Sequence, residues 1–151
     1  MATQYTAGFS IGQVLTAQNM NSIGAAWETF TPTSSQGLAF GKTVNYAKYC
    51  QIQKTVFVQV QITATGAGLG GTVSIGLPAL VPVSQVNVRI EGSILMYDAS
   101  AGLYYQGVAA VSGNVVVGWA QGSNNNMGAN SPAFTIANND VISYSISYEV
   151  A

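Results

Sequence analysis

KTVFVQVQITA, residues 54–64, decides the fold class. Val56, Val58, Val60 and Ile62 fall at every second position, with Gln59, Gln61 and Thr63 between them. Side chains of an extended chain point alternately to opposite faces, so a period of two describes a strand with one face buried and one wet. VISYSISYEV, residues 141–150, repeats the pattern: Ile142, Tyr144, Ile146, Tyr148 and Val150 alternate with Ser143, Ser145, Ser147 and Glu149. Between the two, Val86, Val88, Ile90, Ile94 and Met96 alternate around Gly92, where a bulge or bend is expected.

Further strands are expected over 43–51, 72–77, 103–111, 114–120 and 133–136. Turn signals rich in Gly, Pro, Asn and Ser separate them, at 34–37, 66–71, 78–82, 98–102, 112–113, 122–130 and 138–140. Short strands at this spacing, with no helix between them, predict an all-β domain over 29–151. The expected architecture is a two-sheet antiparallel sandwich, most simply a jelly roll.

Residues 1–28 read differently, as an N-terminal arm. QVLTAQNMNSIGAA, 13–26, is the one stretch with helical character: Thr16 can cap it, no Pro or Gly interrupts 17–22, and Gly24 can stop it. Leu15, Met20, Ile23 and Trp27 give this short helix a thin apolar side, and a helix of that length needs tertiary or partner contacts. Upstream, Tyr5, Phe9 and Ile11 are apolar anchors separated by Gly8 and Gly12. The arm either packs back on its own domain or docks on another subunit. In the second case Tyr5, Phe9, Ile11, Leu15, Met20, Ile23 and Trp27 are the partner-binding residues.

Charge narrows the function. Only 6% of the 151 residues are charged, against about 25% in ordinary soluble domains. So sparse a charge protects a surface poorly against association, which argues that partners cover much of it. Four basic residues in the whole chain exclude recognition of a nucleic-acid backbone, which takes clustered Lys and Arg. No run of 18 apolar residues is present to span a bilayer, and the first ten residues lack the basic and apolar regions of a secretory signal. The chain has no His, the commonest metal ligand and general base, and a single Cys.

Little remains that could carry catalysis. GAGLGG, 66–71, matches the spacing G-x-G-x-x-G, but a dinucleotide loop must open a helix and TVSIGLP reads as another strand. A hairpin loop is expected there. Glu28, Glu91, Asp98, Asp140 and Glu149 stand far apart in sequence, and Asp98 and Asp140 lie in turns where Asp is ordinary turn chemistry. Cys50, without a His to activate it, reads as a small core or interface residue. Tyr104, Tyr105, Trp119, Tyr144 and Tyr148 could stack on sugars, although alternating strand positions favour core or subunit interface. The polar loop SNNNMGAN, 123–130, reads as an exposed connection that could also serve as a recognition tip. No enzyme, metal or cofactor is expected.

Four stretches carry a resemblance. WETFTPT (27–33), YCQIQKTVFV (49–58), NDVISYSISYE (139–149) and the lead-in GQVLTAQNMN (12–21) resemble virion structural proteins of tailed bacteriophages. Those proteins often carry Gly in the turn before the Lys, where this chain has Gln53. The resemblance implies a trimeric β-sandwich structural protein on the outer surface of a phage particle. Its first form is a homotrimeric capsid decoration, or cement, protein whose arm clamps the major capsid protein. The alternative is a tail-fibre or spike tip that binds a host surface glycan through Tyr104 and the Asn-rich loop. A secreted lectin-like module stands third.

Overall fold

The 54–64 alternation is realised as a strand in the computed structural model, which describes residues 26–52, 54–79, 91–120, 126–129 and 132–150. Numbered in chain order, the strands are β1 (Glu28–Thr29), β2 (Ser34–Gln36), β3 (Leu38–Ala39), β4 (Lys42–Ile52), β5 (Thr55–Ala64), β6 (Val73–Gly76), β7 (Glu91–Asp98), β8 (Leu103–Ser112), β9 (Val115–Ala120) and β10 (Val141–Glu149). The chain is all-β, and the described residues include no helix. Residues 13–25 of the helix expected over 13–26 lie outside the described residues, as do Val86, Val88 and Ile90, and Ala26 is not helical.

All ten strands join one antiparallel sheet in the order β1-β4-β5-β10-β7-β8-β9-β6-β2-β3, in place of the two sheets of a jelly roll. The alternation that predicts a buried face does not say what covers it. Here the sheet curls over itself as a half-barrel. Only Phe40 and Gly41 separate β3, at one edge, from β4, next to the other. That connection reaches at most about 11 Å, whereas eight strand spacings in a flat sheet would place them about 38 Å apart. The curl also brings β10 to β6, four places away: the Tyr144 hydroxyl donates to the Gly76 carbonyl at 3.2 Å.

The enclosed space is the core. Val56, Val58, Val60 and Ile62 of β5 meet Ile142, Tyr144, Ile146 and Tyr148 of β10 there, with Val73, Ile75, Ile94, Met96 and Val116 completing it. Val58 stands in register with Ile146 and Ile62 with Ile142, so the two alternations reinforce each other across the ladder. Gly107 and Gly118 lie on the buried side of β8 and β9, where Met127 fits: a Cβ on Gly118 would come within 2.8 Å of its sulfur.

Four local expectations are corrected. Residues 133–136 do not form a strand beyond the bridge Gly128↔Ala133, because their backbone bonds to a side chain instead. The Ile136 amide donates to Gln36 Oε1 at 2.8 Å, and Gln36 Nε2 donates to the Phe134 carbonyl at 2.8 Å. Residues 66–71 are not a hairpin loop, since β5 and β6 are not neighbours; the segment crosses the open end of the curl, held by Leu69 N–H to Gln36 C=O at 2.9 Å. Within 34–37 only Gly37, at φ 72°, turns the chain, while Ser34–Gln36 is paired as β2. Gly92 causes no bulge in the β7–β8 ladder; it is where β7 crosses β10 so closely that a Cβ would strike the Ser145 carbonyl.

Candidate binding surface

The outer face of the sheet is built from the outward half of each alternation, where glutamine, serine and threonine mix with the exposed Tyr46, Phe57, Leu95 and Val108. Two rows of side chains cross β4, β5, β10, β7 and β8: Tyr46–Gln61–Ser143–Leu95–Gln106 and Lys48–Gln59–Ser145–Ser93–Val108. The middle strand, β10, contributes serines, and β7 adds Ser93, while Gln59 and Gln61 on one side and Leu95, Gln106 and Val108 on the other are longer. Small side chains flanked by long ones make a trough.

Three depressions line up along β10. The largest, about 710 Å³, lies over Ser143 and Ser145 between Gln59, Gln61, Tyr46, Leu95 and Gln106. A second, about 340 Å³, shares Ser145 and Gln59 with it and ends against Trp27, Phe57 and Ser147. A third, about 240 Å³, shares Gln61, Leu95 and Ser143 and ends against Asn45, Tyr97 and Tyr104. From Val141 to Ser147 the trough runs about 20 Å.

Hydrogen bonds preset part of this surface. Gln61 Nε2 donates to Ser143 Oγ at 3.2 Å, and the Thr63 hydroxyl donates to Asn45 Oδ1 at 2.9 Å. Asn45 stands out because β4 bulges between Val44 and Tyr46, which throws one extra residue to the rim. Tyr97 and Tyr104, cross-strand partners in β7 and β8, hold their rings 4.7 Å apart, and Tyr104 is 68% exposed. No Asp, Glu, Lys or Arg lines any of the three depressions. The nearest cation in register, Lys48, sits beyond them with its ammonium 5.3 Å from the Tyr46 ring centroid.

Of the candidate partner-binding residues, Tyr5, Phe9, Ile11, Leu15, Met20 and Ile23 lie outside the described residues. Trp27 is described. It is 44% exposed and walls one end of the trough. The tyrosines divide. Of the candidates for stacking, Tyr144 and Tyr148 are core, Tyr105 stacks on Phe134 at 5.4 Å, and Tyr104 is exposed beside Tyr97. Burial pushes the Tyr144 and Tyr148 hydroxyls up, well beyond the ordinary phenol range. On the core side Tyr49 donates to Glu28 Oε2 at 2.6 Å, and this bond, with burial and the carboxylate charge, pushes Tyr49 up to about 12.

The remaining chemical candidates are structural in geometry. Asp98 Oδ1 accepts from the Ser100 hydroxyl and amide and from the Ala101 amide, and the first of these bonds leads in holding its carboxyl below the usual range. Asp140 is buried, accepting from the Ala99 and Ala137 amides. Cys50 is buried opposite Phe57, and burial pushes its thiol up. Among the described residues no three of His, Cys, Asp and Glu are placed to hold a metal ion.

The sequence pattern marks Tyr104 as a candidate and passes over the glutamines and serines, which read as a solvated face. Their signal lies in the contrast between strands: serine at three alternate positions of one strand, glutamine at the same face of another. Comparison with protein-family models, with curated proteins and with solved structures found no match.

Proposed function

We propose that the chain is a non-enzymatic structural protein of a tailed-phage particle, a trimeric decoration protein that binds and stabilises the head through its N-terminal arm. The observation that carries this reading is the scarcity of charge together with large apolar side chains left in the open. Leu38 and Leu69 are 58% and 73% exposed at and beside β3, which is an edge strand among the described residues. Such an edge suits contact with further copies of the same chain. The arm, with its helix over 13–26, then reaches the major capsid protein from the Trp27 end of the sheet. Apolar burial contributes about 25 cal/mol per Å², so modest contacts repeated over the outer surface of a shell sum to resistance against internal pressure.

Removing residues 1–26 is expected to leave a folded trimer that no longer sediments with emptied heads. Continued binding by the shortened protein would sink the arm as clamp. A second reading, a tail-fibre or spike tip that binds a host surface receptor, is favoured by the exposed Tyr104 and the trough beside it. Copy number separates the two, since a shell protein is present at far more positions per particle than a fibre tip.

A further inference from the structure

We infer that the trough along β10 is a binding site for a neutral oligosaccharide, laid lengthwise from the Tyr97–Tyr104 pair to Trp27. The inference rests on the receptor-binding reading for its biological role. Its chemistry rests on the lining.

The floor offers the hydroxyls of Ser143 and Ser145, and the walls offer carboxamides. Gln59 and Gln106 make no side-chain hydrogen bond among the described residues, so donors and acceptors face the trough unspent. A polyhydroxylated ligand matches such a surface because each sugar hydroxyl both donates and accepts. Aromatic rings stand at both ends, where they can cover the apolar C–H faces of sugar rings.

Other occupants fit less well. An anionic ligand finds no cation in the lining, and a cation finds no carboxylate. An extended peptide gains most of its affinity from a free sheet edge, whereas the backbone beneath the trough is already paired on both sides of β10 from Val141 to Ser145. A second copy of the chain would bury the Gln59 and Gln106 carboxamides and the Ser143 and Ser145 hydroxyls, each of which would then need a partner from the other copy.

The test uses the full chain and immobilised neutral glucans, galactans and mannans, beside sialylated and uronic-acid glycans. Neutral glycans are expected to be retained. Ser145→Phe, which fills the floor from an exposed position, should weaken retention roughly tenfold or more at an unchanged unfolding midpoint. Tyr104→Ala together with Gln106→Ala, both on the exposed face, carries the same expectation should the phenylalanine prevent folding. The inference is overturned by failure to retain any neutral glycan, by stronger retention of the acidic set, or by affinity that ignores these substitutions. It is also overturned if Ser145→Phe changes the oligomeric mass, which would assign the trough to subunit contact. Copy number per particle is measured separately, so a tip location can fail while glycan binding stands, and the reverse.

Discussion

Gln36 is a polar side chain in a position where the packing would otherwise call for an apolar one. It is fully buried, and its carboxamide satisfies three backbone groups: the Gly71 and Phe134 carbonyls and the Ile136 amide. Gly68 makes the room, since a Cβ there would collide with the Gln36 side chain. Gln36→Leu keeps the bulk and leaves those groups unpaired, so urea unfolding should show a loss of about 3 kcal/mol; a loss under 1 kcal/mol would mean the groups find other partners. Asp98 gives a pH signature. Its carboxyl titrates lower in the folded protein than in the unfolded chain, so its contribution is present above the unfolded value of about 3.9 and is lost as pH falls through the lower folded one. The urea midpoint of Asp98→Asn should therefore trail the parent protein at pH 6 and approach it near pH 3. The Asp98 turn was legible in Tyr97-Asp98-Ala99-Ser100 because its partners lie within three residues. Gln36 was not legible, because its partners lie 35, 98 and 100 residues away and nothing local announces them.

Alternation within a strand states which side is buried, and at the element scale it served well for β5 and β10. It is silent on how strands are ordered and on what fills a gap between them. Met127 illustrates the second point. It sits in a polar, Asn-rich stretch that reads as an exposed loop, yet it is fully buried against the flat spots left by Gly107 and Gly118. Gly118→Ala would put a methyl 2.8 Å from the Met127 sulfur and 3.2 Å from Ile94 carbons, so unfolding free energy should fall by about 1–3 kcal/mol. An unchanged midpoint would show that Met127 can move aside at no cost. The trough was hidden for a related reason. Serines at 143, 145 and 147 are an ordinary solvated face until β10 is known to lie between β5 and β7, whose side chains rise on both flanks.

For the whole molecule, the sparse charge legible in the composition and the shape of the curled sheet bear on different surfaces. The trough is uncharged and mixes carboxamides and hydroxyls with the exposed Tyr46, Phe57 and Leu95, whereas Leu38 and Leu69 are exposed at and beside β3. This separation lets one chain hold its neighbours with one side and meet a ligand with another. The loss of head binding expected on removal of residues 1–26 belongs to this scale too, because Trp27, the residue that follows them, and the β3 edge lie on different parts of the sheet. The sheet order carries one more implication, for synthesis. β10 pairs with β5 and with β7, residues made long before it, so a growing chain halted short of Val141 holds two strands with an open side each and a core missing its central wall. Such long-range pairing is slow to form, and the waiting strands are prone to join their like. The ribosome must therefore deliver one of the innermost strands after every other strand of the sheet, and many nascent copies crowded on one message face their greatest hazard just before Val141 emerges.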